Sequence, residues 1–340
     1  MVIFYLFCGG AGAGALLLLV VLDIRSPWAS TVYAPAQFAP SAPSAPSALP
    51  ATPALSTTLA LPKSRFASRF VPQEGYRWFF GVGYMIAALM LAIGVFCLLA
   101  DIGRIDRVAM LFLQPTVSYL TLGTYALTLL LITSIVLAVI WLMSLPPSRR
   151  WIVRILNAFV MVAAIAVMLY AGLLIQSMGT GLLIGSPLIP MLFVLSSLSL
   201  GAALIFSLFV SSGHGRLFLS TLVQLMHFDR LIIILELIAL TALIIYAWLS
   251  PAFFQTALLL LEGSEMIPFW LGFVACGLII PFVLETVMCS SVRRSEGNLN
   301  AQILLAAVVG STFIGGFSLR WFIVVAGLPV FNAPATLIGG

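Results

Sequence analysis

The sequence predicts an all-α, polytopic membrane protein of eight transmembrane helices arranged as two four-helix halves. Hydrophobic residues fill 62% of its 340 positions and charged residues 7%, leaving more apolar surface than a soluble fold could hide. The apolar residues gather into eight stretches of bilayer-crossing length, which in a helix takes about 20 residues. Each stretch is continuously apolar instead of alternating, so its backbone is satisfied as a helix and not as a barrel strand.

In chain order the predicted spans are Val2–Leu22, Phe79–Ala100, Val117–Met143, Ile152–Ile175, Leu188–Val210, Leu231–Leu249, Ile267–Cys289 and Gln302–Val325. The first has no positive residue before it and is longer than the apolar core of a secretory signal, so it is expected to be retained. Its Gly9, Gly10, Gly12 and Gly14 follow no predicted strand, which favours close helix packing over a phosphate loop. Residues 1–28 thus form a first helical unit. Residues 29–72 are rich in Ala, Pro and Ser and are expected to be a flexible insert that cannot bury enough apolar surface to fold alone. Helices two to four occupy residues 73–176 and helices five to eight residues 177–340.

The basic residues set the expected orientation. Arg25, Lys63, Arg65, Arg69, Arg77, Arg149, Arg150, Arg154, Arg216, Arg230, Arg293 and Arg294 follow helices one, three, five and seven. The opposite face carries Arg104 and Arg107, with Arg320 near it inside helix eight. The positive-inside rule then puts both termini outside the cytoplasm of a bacterial or archaeal cell membrane. The formal net charge of +5 is accordingly a topology signal, and no nucleic-acid partner is expected.

The chemistry absent from the chain narrows its function. Cys8, Cys97, Cys276 and Cys289 lie in or at the ends of predicted helices without CxxC or iron–sulfur spacing. His214 and His227 are both expected in the loop between helices five and six, away from the facing positions a membrane haem requires. No haem or iron–sulfur cluster is therefore expected in this chain, and hydrolase and nucleotide motifs are missing. Electrons for any redox role must come from elsewhere.

Ionisable groups at membrane depth are costly and mark function. On helical rise, Asp101 at the end of helix two, Tyr170 in helix four and Arg320 in helix eight fall at similar depths near the outer boundary, with Arg104 just beyond Asp101. Taken singly, Asp101 and Arg104 also suit a headgroup ion pair, and Tyr170 an interfacial aromatic belt. A second level lies toward the arginine-rich face. There, Glu236 sits about one and a half turns into helix six and Glu285 about one turn from the inner end of helix seven.

Several segments in sequence order carry a family resemblance. Tyr5-Leu6-Phe7-Cys8-Gly9-Gly10 through Leu22-Asp23-Ile24 resembles the first helix of the NrfD/polysulfide-reductase membrane-subunit family, and Leu99-Ala100-Asp101-Ile102-Gly103-Arg104 its signature after helix two. Tyr170-Ala171-Gly172 is similar to its Tyr-Thr-Gly element, with Ala in place of Thr. Ser186-Pro187-Leu188-Ile189-Pro190, Ser199-Leu200-Gly201-Ala202-Ala203, Glu236 after Asp229, and Leu319-Arg320 also fit. The resemblance spans nearly the whole chain outside the Pro-rich insert.

The resemblance implies a quinone-interacting membrane subunit of a respiratory molybdopterin-type oxidoreductase. Menaquinone or ubiquinone would be its ligand, and it would exchange electrons with a ferredoxin-like iron–sulfur subunit that serves a molybdopterin catalytic subunit. Tyr170, Asp101, Arg104 and Arg320 are the implied quinone-site residues, and Glu236 with Glu285 a candidate proton pathway. Where some family members carry Asn or His early in helix one, this chain has Tyr5 and Cys8. The loops joining helices two to three, four to five and six to seven, with Glu262 and Glu265, are the expected docking face. Two rival readings remain from the sequence. One is a proton-coupled secondary transporter with helices interrupted at Gly315-Gly316 and Pro281; the other is a passive anchor without a quinone site.

Overall fold

The computed structural model describes residues 2–25, 74–102, 119–143, 150–178, 186–211, 219–249, 266–293 and 298–326. These hold eight helices long and apolar enough to cross a membrane, so the chain is a multi-pass membrane protein. We number them α1 (Val2–Arg25), α2 (Glu74–Ile102), α3 (Tyr119–Leu142), α4 (Arg150–Met178), α5 (Leu188–Ser211), α6 (Leu219–Leu249), α7 and α8 (Asn298–Ala326). Helix α7 is π-helical over Pro268–Ile279 and α-helical over Ile280–Arg293. The insert at residues 29–72, Arg104, Glu262, Glu265 and His214 lie outside the described residues.

Two helices form the centre. The apolar windows of α1 and α5 are each 78% buried inside the protein, against 33% for α2 and α3, which face lipid along much of their length. Helix α1 packs against α2, α4 and α5 and more lightly against α8, while α2, α3 and α4 pack in succession around it. On the other side α5 contacts α4, α6 and α8, and α8 contacts both parts of α7. Lipid offers no hydrophobic drive between helices, so close backbone packing has to hold them together. The glycines of α1 supply it: a Cβ on Gly14 would collide with the Ser197 carbonyl of α5, and one on Gly201 would collide with the Gly14 backbone.

The interrupted helices expected for a transporter are not seen in α8, which runs unbroken through Gly315 and Gly316. Gly315 instead meets the backbone of Gly277 in α7. Pro281 sits where α7 changes from π to α winding. Its missing N–H already removes one rung there, so the change in hydrogen-bond register falls at a position unable to donate.

Helix α6 departs most from the prediction. It starts at Leu219 and not Leu231, so His227, expected in a loop, lies on the helix together with Asp229 and Arg230. The polar run His227-Phe228-Asp229-Arg230 lowers local hydropathy and masks a continuing pattern. Leu222, Leu225, Met226, Asp229, Ile232, Ile233, Glu236, Ala239, Leu240 and Leu243 are all buried, at the three- and four-residue spacing of one helical face. Leu231, Ile234, Leu237 and Ile238 are exposed on the lipid side.

Candidate functional site

Two tyrosines meet near the arginine-poor end of the central helix. Tyr5 in the first turn of α1 and Tyr170 in the last third of α4 are 3% and 2% exposed. Their phenols approach one another as hydrogen-bonding partners, although among the described residues the enclosed Tyr170 hydroxyl closes no hydrogen bond of standard geometry. A buried hydroxyl normally finds a partner, and Tyr5 is the one this oxygen faces, with hydrogen-bonding capacity left over. Gly123 of α3 makes room for its ring, because a Cβ there would overlap Tyr170 Cε1, Cε2 and Cζ. Two residues on, Gly172 lets α4 settle on the backbone of Pro190 at the start of α5. Helices α1, α3, α4 and α5 thereby fix the tyrosine's position.

Arg320 of α8 reaches the same level of α1. It is fully enclosed, and its Nε donates to the Leu6 carbonyl at 3.0 Å. Nη1 donates to Ser196 Oγ at 3.1 Å and to the Gly316 carbonyl at 2.8 Å, and Nη2 to Ser197 Oγ at 3.0 Å. The guanidinium also lies 5.5 Å from the ring centre of Phe193 and 6.0 Å from that of Phe7. Its hydrogen-bond partners are all neutral; Glu236 and Cys8 act on it electrostatically from further away.

Three carboxyls continue from Arg320 toward the arginine-rich end. Glu236 is 2% exposed and feels both Arg320 and Asp229. It borders a small cavity of about one water's size, lined by Ser196, Ser199 and Thr312 and, among its apolar walls, by Leu200 and Phe273. Asp229 lies two turns back on the same face of α6, about 10 Å along the axis. It adjoins Glu285 of α7 and Ser199 of α5. Asp229 and Glu285 are wholly buried, and among the described residues none of their four carboxyl oxygens has a hydrogen-bond donor at standard geometry. Carboxylates only accept, so contact between this pair requires a proton on one of them. Arg230 acts on Glu285 electrostatically, and its Nη2 stands 3.8 Å from Cys289 Sγ, itself 3.9 Å from His227 Nδ1. His227 and Arg230 are exposed and half-buried, so the file of polar groups opens toward the arginine-rich end.

A separate polar knot lies among α1, α2 and α4 near that same end. Asn157 Nδ2 donates to Asp23 Oδ2 at 2.6 Å, with both residues 3% exposed. Tyr84 of α2 stands beside Asp23, its hydroxyl enclosed and without a hydrogen bond of standard geometry among the described residues.

The residues singled out from the sequence are thus unevenly placed. Tyr170 and Arg320 converge through neighbouring residues of α1, whereas Asp101 is exposed in the last turn of α2 and Arg104 is outside the described residues. Glu236 and Glu285 do not touch directly; Asp229, which hydropathy assigns to a loop, stands between them. Sequence reasoning also passes over Ser196, Ser197, Thr312, Asn157 and Tyr84, and meets Ser199 only within the family resemblance. The signals for Asp229 are its place before Glu236 in the family resemblance and its seven-residue spacing from that residue, which puts both on one face once the helix is extended backwards.

Comparison with known proteins bears on this arrangement. The family model "Polysulphide reductase, NrfD" matches residues 51–332. The C subunit of polysulfide reductase from Wolinella succinogenes is 32% identical over 183 residues, covering 51% of the present sequence and 54% of that protein. The alignment therefore spans only about half the length of this relative. No solved structure matches.

Proposed function

The chain belongs to the polysulphide reductase NrfD family, and from that premise we propose that it is the quinone-interacting membrane subunit of an oxidoreductase complex. Menaquinone or ubiquinone exchanges two electrons and two protons at the arginine-poor end of α1. A ferredoxin-like iron–sulfur subunit takes or supplies the electrons there, and a molybdopterin subunit carries out the terminal reaction. The observation that carries the proposal is the enclosed Tyr170 hydroxyl, which faces Tyr5 and among the described residues closes no hydrogen bond of standard geometry. A quinone carbonyl is an acceptor of the kind such a phenol needs, and a buried donor left without one costs about 1–3 kcal/mol.

The side chains divide the work. Tyr170 donates to the quinone oxygen, and Tyr5 orients it from α1. Asp101 lies one turn beyond Cys97 on α2, at the exposed end, where a carboxyl can exchange protons with the aqueous edge. Arg104 follows it in sequence and tunes its charge. Arg320 adds positive charge from behind α1. In the other group of helices, Glu285, Asp229 and Glu236 form a stepwise proton path from the arginine-rich side, taken here as cytoplasmic, with both termini on the opposite side. The cavity beside Glu236, lined by the hydroxyl residues Ser196, Ser199 and Thr312 as well as by Leu200 and Phe273, is the place where one bridging water would carry the path onward.

The test uses the purified, intact complex. Tyr170→Phe is expected to lower quinol-linked turnover while leaving assembly unchanged. If Tyr170→Phe and Asp101→Asn both turn over like wild type, the quinone site is not here. The proton-coupled transporter and the passive anchor are separated by the same preparation: the first would move a solute without partners, and the second would assemble but show no quinol dependence.

A further inference from the structure

We infer that Arg320 is a strut that couples the two groups of helices, transmitting the charge state of Glu236 to the tyrosine pair through the backbone of α1. The inference rests on the proposed function and adds to it a mechanical link between the two sites.

Arg320 belongs to α8, yet its Nε grips the carbonyl of Leu6, the residue next to Tyr5. That carbonyl also closes the helical rung to the N–H of Gly10, so a pull on it is felt by the whole first turn of α1. Gly10 provides the passage. A Cβ there would come within 2.7 Å of Arg320 Nη2 and 2.6 Å of Ser197 Oγ, so no other residue leaves the guanidinium in place. At its opposite edge Nη1 holds Ser196, a hydroxyl that also lines the cavity beside Glu236. Groups facing Glu236 from the neighbouring helices are Asp229 on its own helix, Ser196 and Ser199 on α5, and Thr312 and Arg320 on α8.

The guanidinium is held by neutral acceptors on two sides and feels a carboxyl on one. An ionised Glu236 attracts it toward the cavity, while a protonated Glu236 leaves it to Leu6 and the serines. Buried at 0% exposure, it has no solvent to absorb the difference. The shift therefore passes to Leu6 and Tyr5. In the reverse direction, movement of Tyr5 against a bound ligand changes where Glu236 finds its counter-charge.

The experiment uses the complete complex in sealed proteoliposomes, recording quinol turnover and protons moved per quinol. Two variants avoid the proposed quinone and proton ligands. Gly10→Ala displaces the guanidinium; Ser197→Ala removes its Nη2 acceptor without adding bulk. Expected in both is a loss of protons moved per quinol that exceeds any loss of turnover; in Ser197→Ala turnover stays within roughly threefold of wild type, the scale of one weak hydrogen bond. An unchanged ratio in both variants, or turnover and proton movement falling in step, overturns the inference. Where Gly10→Ala fails to assemble, Ser197→Ala alone decides. A wild-type complex without quinol turnover or proton movement would instead remove the reading on which the inference stands.

Discussion

Replacing Gly123 with Ala probes the seat of Tyr170. The added methyl would occupy space now filled by Cε1, Cε2 and Cζ of the ring. Tyr170 is 2% exposed, between Tyr5 on one helix and the Gly172–Pro190 contact that anchors its own. The ring cannot slide along α4 without breaking that anchor, so either α3 backs away or the ring tilts. Overpacking of a filled interior costs about 1–3 kcal/mol. Spent on the position of the phenol, that cost corresponds to ~5- to 150-fold at 1.36 kcal/mol per tenfold. The assay is steady-state quinol oxidation by the assembled complex, with KM and kcat separated and thermal unfolding in detergent followed alongside. We expect a raised KM together with a lower unfolding temperature. The cycle with Tyr170→Ala adds a control, because once the ring is removed the methyl has nothing to strike and the two effects are not additive. A Gly123→Ala complex with wild-type KM and wild-type unfolding would refute the placement of the ring.

Other expectations follow from the same geometry. Tyr170→Phe removes one neutral donor, about 0.5–1.5 kcal/mol, and should lower quinol turnover by ~2- to 13-fold; Tyr5→Phe should act in the same direction and more weakly, which paired turnover measurements will show. Asp229→Asn should abolish or sharply reduce the membrane potential generated per quinol in proteoliposomes, as should Glu285→Gln, because each removes a titrating step from the file that leads to Glu236. Asn157→Ala takes the 2.6 Å donor from the buried Asp23 carboxyl and should destabilise the protein by about 1–3 kcal/mol, read as a lower unfolding temperature with little change in quinol KM. Replacing Asp23 and Asn157 together by Leu should restore stability relative to Asn157→Ala, since the buried Asp23 carboxyl that had lost its amide donor is then gone.

The fold was legible because its cause is compositional. Eight apolar runs of bilayer length admit few alternatives, and seven of the starts fall within a few residues of those expected. The exception, α6, shows where hydropathy misleads. Asp229 is buried by its neighbours and not by its own chemistry, so a window average treats it as the edge of the membrane. For the site, depth counting along each helix brought Tyr170 and Arg320 to one level, because rise per residue is nearly constant. It could not give rotation about the axes. Rotation sends Tyr5 toward Tyr170, places Gly10 under the guanidinium and puts Asp229 between Glu236 and Glu285, and it is set by packing between helices distant in sequence. Two serines of α5 were illegible for the same reason: Ser196 and Ser197 look like ordinary small residues until Arg320 arrives from more than a hundred positions away.

A photoreactive quinone tests the account most directly. Cross-linking in the intact complex, followed by peptide mapping, should place the label within a turn of Tyr5 and Tyr170, with protection by excess quinol and loss of labelling in Gly123→Ala. Labelling confined to the Asp23–Asn157–Tyr84 end of the same helices, or no protectable labelling of this chain, would contradict the account.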